Sequence, residues 1–127
     1  MKLKLMVYDF DGVMTDNKVF IDQNGKEMVQ VNRADGLGIK LIADLGIEQI
    51  IISTEKNAVV SARAKKLNIS CFQGVDDKLS VLKKHCNNRK ISLETVGYVG
   101  NDINDYDVMK EVGETYCPSD ANKIIKN

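Results

Sequence analysis

The chain has 127 residues, with 18 Lys+Arg against 18 Asp+Glu, one His and a formal net charge of zero. That length suits one domain, and the charge balance excludes a protein that holds nucleic acid by bulk positive charge, a polybasic membrane anchor and an acidic tail. With 43% hydrophobic residues the composition is that of a globular protein, and neither a signal peptide nor a membrane span of about 20 apolar residues is expected. Three scattered cysteines, Cys71, Cys86 and Cys117, lack the C-x-x-C spacing of a metal or redox site. They read as reduced thiols in a cytoplasmic protein.

The first apolar run, Leu5-Met6-Val7-Tyr8, is continuous rather than alternating, the pattern of a parallel strand covered on both faces. It runs straight into Asp9-Phe10-Asp11-Gly12-Val13-Met14-Thr15-Asp16. Two carboxylates at i and i+2 after a buried strand repel each other unless a cation or a proton offsets the charge, and Gly12 permits a sharp turn close to a ligand. An ordinary acidic loop at a strand end is the alternative. Next, the β-rich residues 18–22 and 26–31 flank Gln23-Asn24-Gly25, a hairpin signal. This hairpin, spanning about residues 17–32, leaves the first strand where ligands bind in doubly wound sheets, so it is a candidate flap over a site.

Leu37, Ile39, Leu41, Ile42 and Leu45 then make one helical stripe, with Gly46 at a plausible C-cap position. Ile50-Ile51-Ile52 is a second strand, followed by Ser53-Thr54, hydroxyls that either cap a helix or hold a phosphate oxygen. Val59, Val60, Ala62, Ala64 and Leu67 predict a second helix that ends at Asn68, and Ser70-Cys71-Phe72 a weaker strand. Asp76-Asp77-Lys78 introduces a third helix carrying Leu79, Val81 and Leu82. Lys78 there is either solvated or placed to neutralise phosphate charge. His85 lies in a polar stretch and reads as a surface helix residue, which removes most histidine chemistry. Val96-Gly97-Tyr98-Val99 is a further strand, followed by a second acidic cluster, Gly100-Asn101-Asp102-Ile103-Asn104-Asp105. Ile103, Val108, Met109 and Val112 predict a fourth helix closed by Gly113, and Thr115-Tyr116-Cys117 a last strand. Strand alternating with helix predicts an α/β fold: a three-layer, doubly wound parallel sheet of Rossmann-like type, with the hairpin flap inserted after its first strand.

The order of carboxylate pair, hydroxyl, lysine and acidic cluster, each just past a strand, resembles the haloacid dehalogenase-like (HAD) phosphatases. Their four motifs fall here as Asp9-x-Asp11-Gly12-Val13-x-Thr15, Ser53, Lys78 and the cluster from Gly100 to Asp105. The resemblance covers essentially the whole chain, as one domain over residues 1–127. It is closer to the minimal-cap branch, the 3-deoxy-manno-octulosonate 8-phosphate and nonulosonate 9-phosphate phosphatases. Arg33-Ala34-Asp35-Gly36-Leu37-Gly38-Ile39 looks like that branch's R-D-G-x-G-I signature with one extra residue between Arg and Asp, and Gly36-Leu37-Gly38 within it reads as a substrate-side turn. Gln73-Gly74-Val75-Asp76-Asp77-Lys78-Leu79 looks like its Q-G-x-x-D-K-L segment.

The resemblance implies a phosphomonoesterase in which Asp9 is the nucleophile, forming an aspartyl-phosphate, while Asp11 is acid and then base. It implies Mg²⁺ held by an Asp9 oxygen, the Asp11 backbone carbonyl and the residue after Gly100, with Ser53 and Lys78 holding phosphoryl oxygens and Asp105 supporting them. Asn101 stands where the family has the metal-binding Asp, leaving Asp102 to compensate in charge. Ser53-Thr54-Glu55, with Arg63 and Lys66 further on, is similar to the nonulosonate enzymes. Arg33, Gly36, Thr54, Glu55, Arg63 and Lys66 are thus the candidate contacts to a phosphorylated sugar acid, against the alternative that the charges of Glu55, Arg63 and Lys66 are a solvated helix face. The resemblance also implies a homotetramer in which a neighbour's flap shields the site, and a C-terminal tail that this sequence lacks. Neither nucleic acid nor membrane is an expected partner. Two other readings compete: a catalytically silent module of the same fold associated with a sialic-acid-type cytidylyltransferase, and a phospho-accepting receiver domain. The receiver reading is opposed by Ser70-Cys71-Phe72-Gln73, which offers no acceptor Asp after that strand.

Overall fold

In the computed structural model, which describes residues 2–15, 18–100 and 103–117, the apolar run Leu5–Tyr8 forms strand β1 and is buried along its whole length. Strands β2 (Val19–Ile21) and β3 (Glu27–Val29) pair only with each other. The remaining strands are β4 (Glu48–Ile52), β5 (Ser70–Phe72), β6 (Val96–Val99) and β7 (Glu114–Tyr116). With β1 they build a five-stranded sheet in the order β5-β4-β1-β6-β7. Every pairing in it is parallel, with Tyr8 opposite Ile51 on one side and Val99 on the other. The winding reverses at β1, so the ends of β1 and β6 lie at the crevice where ligands bind in such sheets.

Helices α1 (Ala34–Asp44), α2 (Val59–Leu67), α3 (Lys78–Arg89) and α4 (Tyr106–Met109) cover the two faces. Because side chains alternate along a strand, β1 serves both. Leu5 and Val7 pack with Ile50, Ile52, Tyr98, Leu82 of α3 and Val108 of α4. Met6 and Tyr8 pack on the opposite face with Ile51, Phe10, Ile39 of α1 and Val60 of α2. The result is three layers, each fully buried aliphatic side chain contributing roughly 1.5–3 kcal/mol. A buried polar thread joins two of them: the Tyr8 hydroxyl donates to Gln49 Oε1 (2.6 Å), and Gln49 Nε2 donates to the Ile39 carbonyl (2.9 Å). Burial, with the nearby Asp35 charge, pushes the Tyr8 phenol up to about 12. Among the described residues no helix is long and apolar enough to cross a membrane.

The β2–β3 loop follows from its sequence. Gly25 adopts φ +81°, the Gly25 amide donates to the Asp22 carbonyl, and Asp22 Oδ1 accepts from the amides of Asn24 and Lys26 (both 2.9 Å). This is the three-residue hairpin loop that needs glycine in the left-handed region.

Four expectations require correction. The apolar residues of α1 do not form one core stripe: Ile39 is 7% exposed, whereas Leu37, Leu41 and Leu45 are 60–66% exposed. At about 100° per residue the three leucines share one face, and Ile39 and Ile42 another. Gly36, Leu37 and Gly38 lie within α1 rather than in a turn. The fourth helix ends at Met109, and Gly113 is not its cap. A Cβ on Gly113 would sit 1.9 Å from the Glu94 carbonyl oxygen, so a close backbone approach demands glycine there. Finally, His85 is not a surface residue. Its side chain is 9% exposed, with Nε2 2.5 Å from Glu48 Oε2 and its ring edge-on to Phe72.

The two kinds of glycine predict opposite outcomes. A Cβ on Gly38, within α1, meets nothing within 4 Å, so Gly38→Ala stabilises the fold by about 0.5–1 kcal/mol. Gly113→Ala instead forces two backbone segments apart and lowers stability by about 2 kcal/mol or more. Urea unfolding of the two variants beside the parent measures both signs.

Candidate active site

Asp9 directly follows β1, and its amide donates to the Val99 carbonyl (3.0 Å), extending the sheet ladder by one residue. The chain then turns: the amides of Val13 and Met14 both donate to the Phe10 carbonyl (3.2 and 2.9 Å), Gly12 adopts φ +81°, and its amide donates to Thr15 Oγ1 (3.1 Å). Phe10 and Met14 anchor this loop in the core below. Asp9 is thereby buried, at 5% exposure, while Asp11 stays half-buried at the mouth.

Opposite Asp9 stands Lys78, the first residue of α3. Asp77 caps that helix by accepting from the Ser80 amide (3.1 Å), and this orients Lys78 inward, at 3% exposure. Its Nζ lies 3.1 Å from Asp9 Oδ1 and 2.7 Å from Asp105 Oδ1. The solvated alternative for Lys78 is therefore excluded. Asp105 is fully buried in the turn after β6, and a Cβ on Gly100 would come within 2.8 Å of it, which accounts for glycine at that position. Two buried carboxylates thus face one ammonium. Burial outweighs the attraction of Lys78 and, with the Asp105 charge, pushes the Asp9 carboxyl up to about 7. Burial together with the charges of Glu55 and Glu27, against Lys78, also raises Asp11.

Ser53, at the end of β4, is 1% exposed, and its Oγ accepts from the Glu55 amide (3.1 Å). Helix α2 begins at Val59 with Ala58 at its N-cap, so neither Ser53 nor Thr54 caps it. Thr54 is exposed. Glu55 Oε1 accepts from the amides of Lys56 and Asn57 (3.0 and 2.9 Å), which shapes the loop between β4 and α2. Gln73, which follows β5, clasps that loop: its Nε2 donates to the carbonyls of Glu55 and Asn57, and its Oε1 accepts from the Ser61 amide. A small cavity of about 90 Å³ opens between this loop and the hairpin, bordered by Asp11, Thr15, Lys18, Glu27 and Glu55.

The other sequence candidates lie elsewhere. Arg33 is exposed and borders a larger cavity of about 590 Å³ with Gln30, Asn32 and Asp35, and Thr15 lines both this cavity and the smaller one. Arg63 Nη2 donates to the Asn32 carbonyl (3.0 Å), tying α2 to the start of α1, and its charge opposes the upward shift of Asp35 caused by burial. Lys66 is exposed on α2, and Gly36 packs a would-be Cβ 3.7 Å from Leu67. Asn101 and Asp102 lie outside the described residues. Sequence reasoning missed Tyr98, whose hydroxyl donates to Asp105 Oδ1 (2.8 Å). A phenol in a strand buried on both faces needs a partner, and that was the available signal.

No family model matches the chain. It is similar to 3-deoxy-D-manno-octulosonate 8-phosphate phosphatase KdsC of Escherichia coli strain K12, at 33% identity over 97% of this chain, and spans 66% of the length of that curated relative. Among solved structures, a Streptomyces avermitilis MA-4680 protein assigned to the HAD family of hydrolases matches with a TM-score of 0.95 and 42% identity, over 98% of this chain and 72% of that one. The 3-deoxy-D-manno-octulosonate 8-phosphate phosphatase of Moraxella catarrhalis, in complex with magnesium ion, phosphate ion and KDO, matches with a TM-score of 0.91 and 31% identity, over 97% and 71%.

The raised carboxyl of Asp9 has a signed consequence for stability. Between pH 3.8 and about 7 the folded chain holds a proton that the unfolded chain has released, so this contribution is complete below the lower value and is lost as pH rises through the upper one. Thermal unfolding of metal-free protein therefore shows a fall in stability across that interval that Asp9→Asn flattens. Equal pH slopes in parent and variant count against it.

Proposed function

Because the chain belongs to the HAD family of hydrolases, we propose that it is a phosphomonoesterase acting on a sugar-acid phosphate of the 3-deoxy-octulosonate 8-phosphate or nonulosonate 9-phosphate type. The observation that carries this reading is the buried cluster of Asp9, Lys78 and Asp105 at the ends of β1 and β6. The names of the relatives support the substrate class.

In the proposed reaction an Asp9 oxygen attacks phosphorus as the ester P–O bond breaks. The departing alkoxide takes a proton from Asp11, whose raised carboxyl suits it as an acid. Asp11 then takes a proton from water, the water oxygen attacks phosphorus, and the acyl-phosphate bond breaks to release phosphate and restore Asp9. Lys78 and the Ser53 hydroxyl hold the non-transferred oxygens. The donor set fits a hard divalent cation: two buried carboxylates against one ammonium leave negative charge at the site. Asp9, the Asp11 carbonyl and Asn101, with Asp102 beside it, would hold Mg²⁺. When bound, it supplies charge neutralisation for the phosphoryl group.

The hairpin serves in this reading as a flap over the small cavity. The exposed Phe20, Ile21, Met28 and Leu41 support association of copies into the tetramer that the family resemblance implies. Glu55 and Asp11 border the same cavity, which supports Glu55 as an acceptor for hydroxyls near the scissile ester.

Phosphate release from octulosonate 8-phosphate and nonulosonate 9-phosphate, each with and without Mg²⁺, tests the proposal. Turnover of at least one is expected with Mg²⁺, and Asp9→Asn lowers it by about 10³-fold or more while the fold is kept. Release from neither points to the silent module, and undiminished Asp9→Asn turnover removes the nucleophile assignment. Asn101→Asp, which adds a formal charge to the metal site, is expected to lower the Mg²⁺ concentration for half-maximal activity several-fold. An unchanged requirement counts against Asn101 as a ligand.

A further inference from the structure

Tyr98 is fully buried on β6, directly opposite Val7 of β1, yet its ring carries a polar group into the apolar layer beneath α3 and α4. The hydroxyl donates to Asp105 Oδ1 at 2.8 Å, and the same oxygen accepts from Lys78 Nζ at 2.7 Å. Lys78 Nζ lies 3.1 Å from Asp9 Oδ1. Four side chains therefore form one buried chain, and its far end is the carboxylate that the proposed function makes the nucleophile.

An ammonium is attracted to both of two flanking carboxylates, and how closely it approaches each depends on their relative distance and charge. In a dry site the nearer carboxylate draws it in, because Coulomb attraction steepens at low dielectric. The Tyr98 hydroxyl opposes this in two ways. It takes up part of the charge on Asp105 Oδ1, and it fixes the rotation of the carboxylate so that this oxygen faces Lys78. Gly100, where a Cβ would come within 2.8 Å of Asp105, leaves the space that this side chain fills.

We propose that Tyr98 is a positioning residue: through Asp105 its hydroxyl holds Lys78 within reach of Asp9 and of the phosphoryl group. This inference rests on the phosphatase reading above, and it goes beyond the residues that the sequence motifs mark. Tyr98 touches no substrate, so removal of its hydroxyl acts only through Lys78, whose contact with the phosphoryl oxygens counts most in the transition state, where charge builds on them.

The test is Tyr98→Phe, which keeps the ring. With the phosphate ester that the parent turns over, assayed well below the melting temperature, kcat falls about tenfold or more and KM stays within about twofold. A kcat within twofold of the parent overturns the proposal. The loss also vanishes in an Asp105→Asn background, as a double-mutant cycle requires of coupled groups; an undiminished loss there overturns the route through Asp105. A second measurement needs neither turnover nor that variant. At fixed pH in metal-free protein, the side-chain carboxyl ¹³C resonances of both Asp105 and Asp9 shift in Tyr98→Phe. A shift at Asp105 alone, or at neither, overturns the positioning role. Parent protein that hydrolyses neither ester defeats the phosphatase reading, while the ¹³C result still decides whether Tyr98 sets the Lys78–Asp9 contact.

Discussion

The structure depends on one interaction, the ammonium of Lys78 held between the carboxylates of Asp9 and Asp105 with almost no water around them. Each of these charges costs several kcal/mol to remove from water. Only their mutual contact, and donors such as the Tyr98 hydroxyl and the Phe10 amide on Asp9 Oδ1, make the burial tolerable. Because the three residues come from β1, the start of α3 and the turn after β6, the contact also fixes how those elements meet. A local arrangement suited to chemistry is thus a tertiary constraint as well.

The parallel sheet makes that meeting possible. Register places Tyr8 beside both Ile51 and Val99, so Asp9 and Gly100, which follow directly, and Ser53, one residue past the end of β4, leave the sheet at the same edge. The layers above and below are apolar and filled from both directions, which keeps those strand ends from shifting. Two carboxyls face one ammonium, so burial keeps a proton on Asp9 up to about pH 7 in the metal-free chain, and a cation would take that proton's place.

Much of this was legible in the sequence. Continuous apolar runs identified the buried strands because nothing polar interrupts them. The acidic loop, Ser53, Lys78 and the cluster after β6 were singled out by their order, each just past a strand, and by the family that this order resembles, since taken alone the acidic loop, Ser53 and Lys78 have ordinary explanations. The failures also have physical causes. The apolar residues of α1 were read as one stripe, although Leu37, Leu41 and Leu45 turn away from Ile39, and periodicity alone does not say which face the core takes. His85 looked solvated because its sequence neighbours are polar, but Glu48 of β4 and Phe72 of β5 reach it across the layer beneath α3. Gly113 imitated a helix end, yet it answers to Glu94, nineteen positions away in sequence. Tyr98 passed as core because its partner is known only once the turn after β6 closes over it.

The clasp made by Gln73 has a consequence for how this surface can vary. One side chain, just past β5, fastens the loop after β4 and the first turn of α2 through three hydrogen bonds, at Glu55, Asn57 and Ser61. The same short segment leads on to Asp77 and Lys78. The two loops are therefore mechanically geared: lengthening one displaces the other, and with it the lysine. Diversity among proteins of this architecture should then concentrate in the hairpin, which pairs only with itself and can be exchanged without moving the charges beneath it.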